Sequence, residues 1–539
     1  MSKQSRYRFR KIDNIGAADA QEDEQFLKTC FIDTGDLQML RDCSDPHHFV
    51  MGRTGSGKTA LLRQLKEVEG RVIEVQPQSL ALAYISNSSI LNFLSQLGVK
   101  LDIFFRLLWR HIFTVEILKY HFNIRNEADK ISFVEKIKNL FRDKQHTQAL
   151  EYLENWGKMF WEETEYRIKE LTSKLETDLS ASILTKIPGI TFTNEGLQRL
   201  TEEEKQEVIQ RAQHVVNQVQ IRQLSDVIDL VNKVITDSQK RYYIVIDRLD
   251  ENWIEDSLRY RLVRALIETV RDFRKVEQAK IIVALRYDLL DRVFRITRDA
   301  GFQEEKYESM YLNLRWTKEQ LINVLDTRID FLIKQSYTLQ KVTHKDILPK
   351  LIKGQPIIDY ILDRTMMRPR DVILFFNYCI ALATGSPEIT TQMIKQSEGE
   401  YSRTRLRSLA DEWYADYPQL IKFSSLLKNR RKVFSVTEIA EDEISDFCLT
   451  FVSDHLDEKD SLSIGAKKVV DCTLSPLDFR KEIIRIFYRV ALVGLKLESY
   501  EVVSWSITGR PSISPAEIND KTRVSIHPCF WRTLGIQDN

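Results

Sequence analysis

Paired cysteines are missing from this chain of 539 residues. Its six cysteines, at positions 30, 43, 379, 448, 472 and 529, form no CxxC pair, which excludes a zinc ribbon or a disulfide framework as the organising device. The thiols are expected to be reduced and mostly buried. No HExxH arrangement occurs among the nine histidines, so a histidine-bound metal has no support, and His47 and His48 are read as flanking a strand. No window of about 18 residues is free of charge, and Met1 to Lys11 is polar and basic without an apolar stretch, so a cytoplasmic protein is expected. The most apolar segments, 103–122 and 483–497, are interrupted by Arg106, Arg110, His111, Arg485 and Arg489 and read as core helices. Excess charge is also absent: 79 basic residues face 78 acidic ones, so no global field draws the protein to nucleic acid or an anionic membrane. No nuclease, protease or nucleoside-hydrolysing arrangement is visible. Any toxic output is therefore expected from a separate effector protein.

What is present begins with Gly52-Arg53-Thr54-Gly55-Ser56-Gly57-Lys58-Thr59, which satisfies the eight-position GxxxxGK[ST] pattern. The apolar run His48 to Met51 before it reads as a strand, and Ala60 to Glu67 after it is made of strong helix formers. Glycines in such a loop let backbone N–H groups turn around a polyphosphate, and the helix N-terminus adds partial positive charge. Lys58 is expected to reach the β and γ phosphates and Thr59 to ligate Mg²⁺, with Ala60 closing the cradle.

Further along, Arg71 to Val75 reads as a strand, after which about 165 residues pass before the next one. A helical insertion at about 100–238 is the expected explanation. Within it Ile168, Leu171, Leu175 and Leu179 recur at helical spacing, and Thr201 with Glu204 opens a second long helix through Val208, Ala212, Val215 and Val219. The pair fits either a protruding antiparallel arm or two helices packed on the body.

Tyr242 to Ile246 is an apolar run ending in Asp247, the pattern of a buried parallel strand with a carboxylate at its C-terminal edge, where ligands bind. Asp247 is thus placed to hold Mg²⁺. A water-activating residue is sought next. Arg248 occupies the position directly after Asp247, leaving Asp250 as the first choice and Glu251 as the second. Lys280 to Leu285 is another strand and ends in Arg286, which contacts the γ phosphate or orients the attacking water, or else pairs with Asp247 or Asp288. Arg368 and Arg370, around Pro369 at a helix start, are candidates to touch the nucleotide from a helical lid, with a salt bridge to Asp363 or Asp371 as the alternative. Arg292, Arg295 and Arg298 are weaker candidates for a finger acting across a subunit boundary.

The loop at 52–59, the stretch Ile-Asp-Arg-Leu-Asp-Glu-Asn-Trp at 246–253, Arg286 and the Arg-Pro-Arg-Asp helix resemble the signal-transducing P-loop ATPases. More narrowly they resemble a bacterial branch close to the AAA+ origin-recognition ATPases and associated with phage-defence or mobile-element loci. The resemblance spans about 45 to 430 without the insertion. It implies an ATPase core, a helical lid, a C-terminal winged helix and nucleotide-controlled assembly or effector contact. The departure is Arg248, which leaves open which carboxylate activates water.

The expected architecture is α/β. An N-terminal segment at 1–44 flanks the nucleotide site, a parallel-sheet core spans 45–335, a helical lid 336–400 and a winged-helix-like domain 401–539. In the last, 417–427, 436–455 and 478–495 read as helices, and 500–507 and 522–527 as strands around a turn at Gly509-Arg510-Pro511. Lys428, Arg430, Arg431 and Lys432 form a local basic cluster, and Arg480, Lys481, Arg485 and Arg489 line part of the candidate recognition helix. The expected function is Mg²⁺-dependent ATP hydrolysis driving a switch in phage defence, as a homo-oligomer with an effector. The alternatives are a non-hydrolysing ATP-bound scaffold and a DNA-loading ATPase.

Overall fold

Tyr242–Ile246 and Ala279–Leu285 are apolar throughout except for one lysine, and every residue in both is buried, the pattern of strands covered on two faces. They form β3 and β4 of a five-stranded parallel sheet completed by β1 (Phe49–Met51), β2 (Val72–Val75) and β5 (Tyr311–Asn313), in the order β2-β3-β4-β1-β5. Register runs the strands in one direction: Met51 pairs with Leu285 and Ile246 with Val283, so β1 and β4 end together and β3 ends two residues earlier. Gly52 and Asp247 therefore leave the sheet at the same C-terminal edge, with β4 between their strands. The computed structural model describes residues 7–77, 88–123, 164–223, 231–232, 234–251, 256–298, 303–334, 340–454, 460–508, 510 and 512–536. Asn252, Trp253, His455, Gly509 and Pro511, and the side chains of Ile168, Leu171, Leu175 and Val219, lie outside the described set.

The chain divides into two compact units: a sheet unit of Asp33–Arg53 with Lys58–Leu314, and a helical unit of Met1–Ile32, Thr54–Gly57 and Arg315–Asn539. In the sheet unit, Lys58–Val68 buries Leu61, Leu62 and Leu65 on one stripe. Asp102–Phe122 is buried along most of its length, and Trp109 Nε1 donates to the Leu262 carbonyl at 2.9 Å, tying it to Asp256–Phe273. Of the two long insertion helices, Thr164–Leu184 and Glu202–Gln223, the side chains of Leu179, Ile183, Val208 and Ala212 are buried in the same core as Ile244. At these positions the helices pack on the body. Leu179, Ile183 and Val208 each contribute about 1.5–3 kcal/mol of transfer free energy, so a free arm is not the arrangement these residues adopt.

In the helical unit the N-terminal segment is a strap. Phe9 N–H donates to the Ser386 carbonyl at 3.0 Å, Asn377 brackets Ile15 and Gly16, and the Arg328–Asp23 pair is buried. Lys318–Lys334, Ile357–Asp363, Pro369–Leu382 and Thr391–Glu412 are its principal early helices. The expectation of helix throughout this stretch is corrected at Leu351–Ile352 (β6) and Gln355–Pro356 (β7), a hairpin whose two turn residues, Lys353 and Gly354, both take positive φ. Beyond residue 412 a three-stranded antiparallel sheet has the order β8-β10-β9, with β8 at Val433–Ser435, β9 at Val493–Lys496 and β10 at Arg523–Ile526. The helix expected at 436–455 starts at Glu441, after a 3₁₀ turn capped by Ser435. The strand expected at 500–507 is reduced to one bridge, Leu495 with Ser504.

Candidate functional site

Lys58 opens its helix with its amine folded back over the loop, donating to the carbonyls of Gly52 at 2.9 Å and Arg53 at 3.1 Å. Thr59, one residue on, points its hydroxyl to Asp247 Oδ2 at 2.7 Å, although the two are 188 residues apart in sequence. The arrangement follows from topology: β1 and β3 run parallel on either side of β4 and both finish at its C-terminal end, so the first turn of the helix after β1 meets the residue after β3. The helix's own first turn has no acidic side chain, so the carboxylate that meets its positive end is Asp247, from β3. Burial pushes the Asp247 carboxyl above its usual range, against the opposing pull of the Thr59 hydroxyl, the Arg248 amide and the Lys58 charge.

The chain turns sharply after Asp247. Arg248 takes φ 62°, a left-handed conformation that costs a non-glycine residue about 1–2 kcal/mol. Its amide donates to Asp247 Oδ1 at 2.8 Å and its carbonyl accepts from Glu251 at 3.2 Å. Both candidates for water activation are paired with arginines. Asp250 Oδ2 lies 3.1 Å from Arg286 NH1, and Glu251 Oε1 lies 3.4 Å from Arg248 NH1. Arg286 is held in turn by both oxygens of Asp288.

The helical unit contains the tip of the loop, Thr54–Gly57, and captures three of its carbonyls. Arg368 NH1 donates to Thr54 O at 2.7 Å, the Arg370 amide to Gly55 O at 3.4 Å, and Trp316 Nε1 to Ser56 O at 2.8 Å. Gly55 has φ +79°, and a Cβ there would stand 2.7 Å from Arg370 Cβ, so only glycine fits. Gly57 is also left-handed, at φ +99°. The hydroxyls of Thr54 and Ser56 are buried without a hydrogen-bond partner among the described residues.

Arg368 caps Pro369–Leu382 from extended backbone, with Pro369 presetting the first turn. Its Nε reaches Asp371 Oδ2 at 2.8 Å and its NH1 lies 3.6 Å from Glu412. Asp371 is fully buried; burial pushes its carboxyl up, but Arg368 and Arg405 overcome this and hold it below the usual carboxylate range. Arg405 Nε stands 3.2 Å from Asp371 Oδ1 yet off the line needed for a hydrogen bond, so the pair is an ionic contact. Arg370 Nε donates to Ala18 O at 2.9 Å. The salt-bridge alternative to Asp371 is thus the observed partner of Arg368, and both arginines also bind loop or strap backbone.

Of the basic residues assigned to the C-terminal region, Arg430, Arg480, Arg485 and Arg489 are engaged internally, whereas Lys428 and Arg431 are exposed. From Phe479 to Val490 no residue is exposed. Arg480 donates to Ile439 O at 2.9 Å, Arg485 pairs with Glu482, and Arg489 donates to the Tyr417 hydroxyl at 3.1 Å. Arg430 is bound by Leu426 and Glu438 carbonyls and by Glu443. The helix Pro476–Arg489 therefore presents no open basic face of the kind a groove-reading helix uses. Among the described residues no group of three or more His, Cys, Asp or Glu is arranged to hold a metal, and no helix is long and apolar enough to cross a membrane.

Trp316, Arg405 and Glu412 join the site without any local signal in the sequence, since their partners lie tens to hundreds of residues away. Residues 319–410, inside the helical unit, match the family described as the FunZ-associated C-terminal helical domain. The chain as a whole is similar to the putative transposon gamma-delta 80.3 kDa protein of Escherichia coli (strain K12), at 22% identity over 543 residues that cover 98% of this chain and 68% of that protein.

Proposed function

We propose that the chain is a Mg²⁺-dependent ATPase of the P-loop class that works as a nucleotide-controlled switch. The observation that carries this reading is the 2.7 Å contact between Thr59 and Asp247, a hydroxyl and a carboxylate brought together from separate strands. An all-oxygen pair of this kind suits Mg²⁺. Lys58 supplies a cation over the loop, and the unpartnered buried hydroxyls of Thr54 and Ser56 are fitting donors for phosphate oxygens. When bound, Mg²⁺ would neutralise charge on the phosphates; the residues do the rest. Thr59 and Asp247 would hold the metal, Lys58 and the loop amides would orient the phosphates, and Asp250 or Glu251 would orient water. The helical unit, with Arg368 and Arg370 on the loop tip, would register the state of that loop, and a helix-rich C-terminal region of winged-helix type would carry the output to further copies of the chain or to an effector.

The name of the E. coli relative, a putative transposon protein, supports a setting in mobile-element biology, with phage defence as the related expectation. A second reading, an ATP-bound scaffold with slow turnover, is favoured by the arginine partners of Asp250 and Glu251. Phosphate release distinguishes them. The ATPase reading expects Mg²⁺-dependent release by the wild type that is absent in Lys58→Ala and Asp247→Ala, whereas equal rates in all three would end it. Tight ATP binding with negligible release would favour the scaffold.

A further inference from the structure

Arg286 leaves β4 between two carboxylates that it holds in different ways. Nε and NH2 donate to Asp288 Oδ1 and Oδ2 at 2.9 Å each, a two-bond fork whose geometry fixes the guanidinium plane. NH1 reaches Asp250 Oδ2 at 3.1 Å. The two acids differ in surroundings as well. The Asp288 side chain is 8% exposed and lies 3.5 Å from a second cation, Arg292, whereas the Asp250 side chain is 34% exposed. One partner is an anchor; the other is a single contact on the solvent side.

We propose, resting on the ATPase reading, that Asp288 is a positioning residue for Arg286 and that Asp250 is an exchangeable counter-ion. The terminal phosphate of a nucleoside triphosphate would take the place of Asp250 on Arg286 NH1. The chemistry favours that exchange, because a terminal phosphate offers more charge and more acceptor oxygens than a partly solvated carboxylate. Asp288 keeps the guanidinium in place while its third nitrogen changes partner. Losing Arg286 leaves the Asp250 carboxylate able to accept a hydrogen bond from water, so recognition of the triphosphate and preparation of the water become one event. A diphosphate lacks the displacing group, and the Arg286–Asp250 pair persists. The pair would therefore set the preference for triphosphate over diphosphate, a specificity that the loop alone does not supply.

The test uses the full chain with Mg²⁺, titrated with ATP and separately with ADP, in the wild type, Asp250→Asn and Asp288→Asn. Asp250→Asn is expected to tighten ATP severalfold and leave ADP unchanged, since the carboxylate that the terminal phosphate displaces from NH1 has lost its charge, while phosphate release falls. Asp288→Asn is expected to weaken ATP about tenfold with ADP unchanged, and to raise KM for ATP more than it lowers kcat. Asp250 is part-exposed, so its substitution decides the matter even where Asp288→Asn does not fold. An ATP-to-ADP affinity ratio unchanged in Asp250→Asn overturns the exchange while leaving the ATPase reading in place. Absence of nucleotide binding by the wild type overturns both.

Discussion

Replacing Asp247 with asparagine should make the nucleotide-free protein more stable while disabling it. The carboxyl sits at the end of a fully buried strand, and burial raises its folded-state pKa above the 3.8 of an unperturbed aspartate. Between 3.8 and the raised value the folded chain holds more protons than the unfolded chain, so the stability due to this group falls as pH rises through that window. At neutral pH the penalty for the buried charge is complete. Asparagine keeps the shape; its oxygen accepts from the Arg248 amide and its NH2 donates to the Thr59 hydroxyl oxygen, while Lys58 retains the carbonyls of Gly52 and Arg53. Relief of a functional-site charge of this kind is worth about 0.5–2 kcal/mol, or roughly 2–4 °C in Tm per kcal/mol for a unit of this size. The assay is thermal unfolding without nucleotide or Mg²⁺, at neutral pH and again as pH is lowered toward 4. Asp247→Asn should unfold at the higher temperature, and the gap should close in acid. A variant less stable than the wild type by more than about 1 kcal/mol at neutral pH would refute the reasoning, because the carboxylate would then be stabilising the empty protein.

Three further outcomes follow from buried groups elsewhere. Arg368→Met leaves the fully buried Asp371 with Arg405 and the Met366 amide and removes the donor to Thr54 O; a loss of about 3–5 kcal/mol in urea unfolding is expected, and a loss under 1 kcal/mol would contradict the network. Burial pulls the Lys280 amine down to about 8 while its Nζ donates to the Met39 and Asp42 carbonyls, so the unfolded chain binds more protons between that value and 10.5 and the wild type should gain stability as pH rises through the window. Lys280→Met should lack that gain, and parallel curves would refute it. Gly55→Ala, with its φ of +79° and a Cβ directed at Arg370, should lose at least about 1 kcal/mol and weaken nucleotide binding; unchanged unfolding would show that the loop tip adopts another conformation.

The sheet and the residues at its C-terminal edge are readable because their signals are local. A glycine-rich loop between a strand and a helix, and apolar runs ending in Asp247 and Arg286, each occupy a few consecutive residues, and parallel pairing then brings their ends together. Relations between distant residues were not readable. Nothing near Arg368 announces Glu412, and nothing near Ser56 announces Trp316. The basic residues of Pro476–Arg489 looked available because charge is legible in sequence and burial is not; the core of the helical unit takes that helix's faces. The hairpin at 351–356 was hidden by its length, since two-residue strands carry no periodicity. Arg248 was noticed as a departure from a pattern, and its left-handed φ shows why the turn can bring Asp250 back toward Arg286.

Calorimetric titration of ATP into the wild type and Asp247→Ala, each with and without Mg²⁺, tests the central claim most directly. The account predicts that the wild type binds ATP in a manner strengthened by Mg²⁺ and that Asp247→Ala loses the metal dependence. No binding by the wild type, or the same Mg²⁺ dependence in both proteins, would contradict it.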